Sequence, residues 1–125
     1  MAGYTPEQIT TFLSAGALAA NKIVKFDSTA NQVVVATAAT DKFAGITLRE
    51  ATVANQEVPV VQTGTVLLTA AGNIAYGDYV TATTAGAGVA TTSAAAFYIG
   101  IARQSAVSGD LFEVELRMGQ IADGT

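Results

Sequence analysis

Two glutamates near the end of the chain have the spacing that a pair of catalytic carboxylates would need. Glu113 and Glu115 lie two positions apart, so on a β-strand their side chains share one face. The alternate residues of segment 112–118 are all apolar, which predicts one face in the core and the other in water. Two solvated charges are therefore the better interpretation of this pair.

Other catalytic and metal-binding arrangements are excluded by residue types that the sequence lacks. There is no histidine, which removes the usual general base near neutral pH. There is no cysteine, which removes the thiol nucleophile and any disulfide. Zinc sites with nitrogen or sulfur ligands are excluded for the same reason. We therefore predict no enzyme activity, no cofactor and no metal site.

Nucleotide and nucleic-acid binding are also disfavoured. Gly86 and Gly88 are followed by Val-Ala-Thr-Thr and not by a helix start, so they lack the context of a phosphate-binding loop. The net charge is −4 and the 6 basic residues are scattered, whereas a nucleic-acid surface is normally basic. The tyrosines are not interleaved with basic residues, and we expect Tyr79 and Phe97 to lie in the core.

The composition predicts one folded domain with no membrane-spanning segment. The chain has 125 residues, of which 50% are hydrophobic and only 13% are charged, which is the opposite of a disordered sequence. Its longest apolar run, residues 94–102, is too short to cross a bilayer. Few charges leave much of the surface neutral, which favours contact with partner proteins.

Residues 1–19 are predicted to form a short helix or an arm. Residues 5–8 have the types and spacing of a helix N-terminus, and apolar residues follow at helical spacing. Two interpretations remain open, a helix that packs on its own domain and an arm that reaches a neighbouring subunit. The candidate contact residues of this segment are Tyr4, Ile9, Phe12 and Leu13.

Residues 20–125 are predicted to form a single all-β domain. Short β-branched segments alternate with turn sequences, a pattern that is typical of a β-barrel or a β-sandwich. The predicted strands are residues 23–26, 32–37, 43–48, 57–62, 65–69, 79–83, 89–92, 97–103 and 111–118.

The β domain also contains a weak internal repeat, in which residues 20–62 match residues 76–117 at an offset of about 55 residues. Phe43-Ala44-Gly45-Ile46-Thr47, for example, matches Tyr98-Ile99-Gly100-Ile101-Ala102. We therefore expect two copies of one unit that close around a shared core.

Glycine and asparagine have two predicted roles in these units. Gly45 and Gly100 lie inside predicted strands, which indicates a bulge or a close approach of two backbones. Tight turns before strands are predicted where Asn or Gly precedes a polar residue, because both tolerate the left-handed conformation. The four positions are Asn21, Asn55, Gly77 and Gly109.

The order and spacing of these motifs resemble those of a family of small capsid cement proteins of tailed bacteriophages, formerly a domain of unknown function. The resemblance rests on Ala-Asn-Lys-Ile-Val-Lys at residues 20–25, Phe-Ala-Gly-Ile-Thr at residues 43–47 and the A-G-x-I-x-x-G-D-x-V element at residues 71–80. It extends over residues 15–118, whereas the segment before it matches no pattern of the family.

This resemblance implies a compact β-barrel of the β-tulip type and a structural virion protein. Such a protein is made in the cytoplasm of the host bacterium and docks on the outer surface of the capsid. There it bridges subunits of the major capsid protein, often as a homotrimer, without binding nucleic acid or membrane. Two alternatives are a base domain of a head or tail fibre and a carbohydrate- or ligand-binding β module. The absence of tryptophan counts against the second.

Overall fold

The computed structural model describes residues 5–93 and 96–121, which form nine strands in one sheet and contain no helix. The prediction of an all-β fold is therefore confirmed. No helix in these ranges is long and apolar enough to span a membrane. The strands are β1 (Thr5–Ser14), β2 (Ile23–Phe26), β3 (Gln32–Val35), β4 (Phe43–Thr47), β5 (Glu57–Thr69), β6 (Tyr79–Ala82), β7 (Gly88–Ala90), β8 (Phe97–Ala102) and β9 (Leu111–Gln120).

The N-terminal segment is a strand, so the prediction of a helix there is wrong. β1 pairs antiparallel with β5, from Thr5 opposite Thr65 to Leu13 opposite Glu57, and its last two residues pair parallel with β3. A short isolated helix is marginal in water, whereas the strand pairs its backbone with β5 along most of its length and with β3 at its end. The threonines and the isoleucine of this segment also suit a strand.

The first five strands close a barrel. Their order is β1-β3-β2-β4-β5, and the pairing of β5 with β1 completes the ring. This arrangement confirms the predicted barrel and makes β1 an integral part of it. A separate cluster of buried residues fills the interior: Leu18, Val24, Val33, Ala44, Ala51, Val58 and Val60.

The second half of the chain repeats the strand pairing of the first. β7, β6, β8 and β9 are neighbours in the same order as β3, β2, β4 and β5. Val80 pairs with Gly100 where Val24 pairs with Gly45. A bridge between Ile74 and Ala106 likewise has its counterpart between Leu18 and Ala51 in the first half.

The long strand β5 belongs to both halves. Its first part is the last strand of the first barrel, and its second part pairs with β9 as β1 pairs with β5. The sequence predicted two strands here, but the chain continues through Gly64, which has φ of 99°. Ala70 then makes a parallel bridge with Gly88, as Ser14 does with Val33. We propose from these equivalences that repeats 20–62 and 76–117 extend to include β1 and the second part of β5.

Gly45 and Gly100 lie where two strands approach each other too closely for a side chain. A Cβ on Gly45 would overlap the carbonyl oxygen of Val61, and a Cβ on Gly100 would overlap that of Glu115. The register of both ladders shifts beside these glycines. The four turn residues share another property, a positive φ: 59° at Asn21, 64° at Asn55, 90° at Gly77 and 95° at Gly109.

The outer face of the first barrel packs against the second half of the chain. There one bridge, between Ala70 and Gly88, connects the end of β5 to β7, and we call β6 to β9 with the second part of β5 the second barrel. Ile23, Phe43, Ile46 and Val61 are buried in the cluster that also fills the second barrel. These residues alternate along their strands with the residues that fill the first barrel, so they point outward from it. One large core therefore joins the two halves.

Candidate docking surfaces

The structure places the N-terminal candidate residues in different environments. Ile9 is 48% exposed. Phe12 is half-buried and packs on the core of the first barrel, and Leu13 is half-buried opposite Glu57. Tyr4 lies outside the described residues. Ile9 is therefore the member of this set with the most exposed apolar side chain among the described residues.

Phe26 is an exposed aromatic residue that sequence reasoning placed on a strand without giving it a role. Its side chain is 49% exposed, and its ring meets that of Phe12 edge to face, with centroids 6.0 Å apart and planes at 74°. Phe26 ends β2 immediately before the turn at residues 27–31. An aromatic residue next to a polar turn was the available signal.

Tyr79 is exposed, so the prediction that it lies in the core is wrong. Its side chain is 42% exposed, and its ring stacks on that of Tyr98 with centroids 4.4 Å apart. Ile101 pairs with Tyr79 on the neighbouring strand. We call the surface formed by Tyr79, Tyr98 and Ile101 the tyrosine face. Phe97, the other predicted core residue, is half-buried against the core.

An ion cluster lies beside the tyrosine face. The carboxylate of Glu115 accepts hydrogen bonds from Arg103 and Arg117, each with a shortest N–O distance of 2.9 Å. The hydrogen bond from Arg117 is the largest cause that holds the pKa of Glu115 below its usual value. The carboxylate therefore stays ionised near neutral pH, which argues against a role as a general acid.

Two open pockets, each of about 350 Å³, flank the stacked tyrosines. The first is lined on its apolar side by Phe43, Phe97, Tyr98 and Met118. The second is lined by Gly77, Asp78, Tyr79, Ala90, Thr91 and Thr92. Among the described residues, no group of three acidic side chains is placed to hold a metal ion.

Asp41 fixes the loop between β3 and β4, at the edge of the first pocket. Burial acts to raise the pKa of this carboxyl group. Hydrogen bonds from the amides of Thr37 (2.8 Å) and Ala38 (3.1 Å), together with Lys25 at 3.5 Å, outweigh burial and lower the pKa. The ionised carboxylate therefore stabilises this loop.

We expect Asp41→Asn to lower the free energy of unfolding near neutral pH by about 1–2 kcal/mol, because weaker hydrogen bonds replace charge-assisted ones. The folded pKa lies below the ordinary value of 3.8. The contribution is thus present above that value and is lost as the pH falls through the folded pKa. Urea unfolding of both proteins at neutral and strongly acidic pH measures this. An equal loss at both pH values would assign the effect to packing and not to charge.

Comparison with known proteins places this architecture among phage structural proteins. No curated protein sequence matches the chain. The head fiber gp8.5 N base of bacteriophage phi29 has a similar fold, with a TM-score of 0.72 and 16% sequence identity over 88% of this chain and 93% of that chain. Residues 1–117 match the model of the structural cement protein family described by E217 gp24 and Pam3 gp6. Because this match covers most of the sequence, the chain belongs to the phage structural cement protein family.

Proposed function

We propose that this protein docks on the outer surface of a bacteriophage capsid and stabilises it by bridging subunits of the major capsid protein. The match to the cement protein family over residues 1–117 is the observation that carries this proposal. The proposal includes synthesis in the host cytoplasm, assembly as a homotrimer, and no direct contact with nucleic acid or membrane. Bridging stabilises a capsid because subunits that separate must also break their contacts with the bridging protein.

Both side-chain docking and addition of a strand suit this fold, and both point to β1. Only Leu13 and Ser14 of β1 pair with β3, so among the described pairings residues 5–12 of this strand pair with β5 alone and one edge of it is open. A row of this length can accept a strand from a partner. β7 ends the sheet order but has only 3 residues, and Gly88 within it also bridges to Ala70. We therefore assign the capsid contact to β1, with Ile9 as the candidate side chain.

Co-sedimentation with capsids tests this function. Purified protein is mixed with undecorated capsids of the cognate phage, and the bound fraction and the temperature of DNA release are measured. We expect the protein to sediment with the capsids and to raise the release temperature. Absence of binding to cognate capsids would contradict the proposal.

We expect Ile9→Asp to weaken capsid binding about tenfold or more, because burying a charge at an apolar contact is unfavourable. The matched control is Val53→Asp. Val53 is 62% exposed on the loop beside Ser14, the last residue of β1. This variant therefore introduces the same charge away from Ile9. Equal affinities of the two variants would contradict the assignment of Ile9 to the capsid contact.

A second candidate function is the base of a head fibre, which the fold similarity to the phi29 head fiber base favours. Electron microscopy of virions labelled with an antibody against this chain separates the two functions. A cement protein is labelled on a capsid surface without projections, whereas a fibre base is labelled at the foot of a projecting fibre.

A further inference from the structure

The two halves of the molecule meet where the turn at residues 83–87, between β6 and β7, fills a groove on the outer side of β2 and β3. We call this groove, which is lined by Lys22, Ile23 and Val35, the socket. The amide of Ile23 donates to the carbonyl oxygen of Gly86 at 2.7 Å. A Cβ on Gly86 would lie 2.7 Å from a methyl carbon of Val35, and φ at Gly86 is 75°. The fit is therefore tight enough to require glycine at this turn.

The second barrel has the same socket, and there it is open. The pocket beside Tyr79 is lined by residues of β6, of β7 and of the segments next to them. The strand pairings make Tyr79 the counterpart of Ile23, and Ala90 the counterpart of Val35. The amide of Thr91 donates to the carbonyl oxygen of Tyr79 as the amide of Ala36 donates to that of Ile23. We call this pocket the open socket.

The first barrel has an exposed counterpart of the turn, in which the carbonyl oxygen of Asn31 accepts a hydrogen bond from the amide of Leu13 at 2.8 Å. Residues 27–31 connect β2 and β3 as residues 83–87 connect β6 and β7. Asn31 has φ of 65°, close to the 75° of Gly86. Residues 28–31 are exposed and Phe26 beside them is 49% exposed, whereas Gly86 and Ala82 at the corresponding places are buried. One socket and one turn thus meet within the chain, while the other socket and the other turn face solvent.

We propose that the open socket receives the turn at residues 27–31 of a second copy of this chain. The contact between copies uses the surfaces that correspond to the junction between the two barrels, with one exchange of size: Asn31 has a side chain where Gly86 has none, and Ala90 is smaller than its counterpart Val35. It is a head-to-tail contact, because it joins different surfaces of the two molecules. Such contacts build closed rings or open chains.

The outer face of the first barrel is apolar, whereas the equivalent face of the second barrel combines aromatic and polar groups, as a surface that is alternately wet and covered requires. The face of the first barrel is permanently buried, and it carries Ile23, Phe43, Ile46 and Val61. The strand pairings place Tyr79, Tyr98, Ile101 and Glu115 at the corresponding positions of the second barrel. Tyrosine combines a large apolar ring with a polar hydroxyl, so it tolerates water in the free protein and contributes area when covered.

Site-directed disulfides test the geometry, because the natural sequence has no cysteine. Thr91→Cys places a thiol in the open socket, and Ser28→Cys places one on the exposed turn. After the two variants are mixed and oxidised, we expect a disulfide-linked dimer that forms with neither variant alone. The matched control replaces Ser28→Cys with Val107→Cys, which is on an exposed loop (57%) outside the contact; this mixture should cross-link at least tenfold less.

Light scattering of the unmodified protein measures the assembly directly. We expect a mass that rises with concentration above that of one chain, and Tyr79→Asp should return it to one chain. A constant single-chain mass, or cross-linking of Thr91→Cys with itself, would overturn the head-to-tail contact. Loss of capsid binding by Tyr79→Asp without any self-association would assign the open socket to the capsid protein. No capsid is needed for self-association, so this result is independent of the proposed docking function.

Discussion

Gly45→Ala and Gly100→Ala are each expected to lower the free energy of unfolding by about 3 kcal/mol or more, because a side chain at either position overpacks a buried junction. The added Cβ would overlap the carbonyl oxygen of Val61 or Glu115. It would also lie 2.7 Å from a methyl carbon of the buried Val60 in Gly45→Ala, and 2.8 Å from one of the buried Val114 in Gly100→Ala. These atoms belong to a hydrogen-bonded ladder and to a packed interior, so they cannot move apart without loss of other contacts.

Gly16→Ala is the matched control for these two variants. No atom lies within 4 Å of a Cβ built on Gly16, so its stability should change by about 0.5 kcal/mol or less. Urea unfolding followed by circular dichroism measures all three proteins, and tyrosine fluorescence provides a second signal. Equal unfolding midpoints for Gly45→Ala and Gly16→Ala would contradict the prediction, because they would show that β4 and β5 move apart to admit the side chain without loss of stability.

The sequence was informative where a signal is local to a few residues. Alternation in residues 112–116 correctly placed Phe112, Val114 and Leu116 in the core, because period two leaves only one choice of face. Met118 shares that alternation but is 41% exposed near the end of β9. Alternation therefore identifies a face, while the extent of burial depends on how far the neighbouring strands continue.

The sequence was misleading where a distant partner decides the structure. Residues 5–13 combine a helix-start pattern with apolar residues at helical spacing, and both signals are weak in so short a segment. The edge of β5 offers this segment a ladder of backbone hydrogen bonds, and β3 adds two pairs at its C-terminal end. Closure of the barrel depends on residues about 50 positions away in β5, and propensity at β1 carries no information about them.

The docking surfaces were predictable only in part, for a related reason. Tyr79 was expected in the core and is exposed, because alternation along a strand does not show which barrel face another element covers. Comparison of the two repeats gives that information. Val61 in the first repeat corresponds to Glu115 in the second, and a charged residue at this position indicates that the face of the second barrel meets water.

Phe112→Ala is expected to lower the free energy of unfolding by about 3–5 kcal/mol, the usual effect of removing a buried aromatic side chain. Phe112 is the largest fully buried side chain among the described residues. It belongs to the cluster that fills the second barrel and joins it to the first. Rigid strands surround the resulting cavity on several sides, so the structure cannot relax to fill it.

Leu111→Ala is the control, because Leu111 is the adjacent residue of β9 and is 52% exposed. It should change stability by less than about 1 kcal/mol. Unfolding of both variants is measured by denaturant titration. A similar loss in the two proteins would contradict the placement of Phe112 in the shared core.

The same variant tests whether the two barrels unfold together. The two halves share β5 and one buried cluster, which contains Ile23 and Val61 of the first half with Phe112 of the second. A cavity at Phe112 should therefore destabilise both barrels, although the first barrel has its own interior. Hydrogen exchange measures this: the amides of β2 and of β6 should lose protection by the same free energy. If β2 keeps its protection while β6 loses it, the barrels are separate folding units and the shared strand transmits little stability.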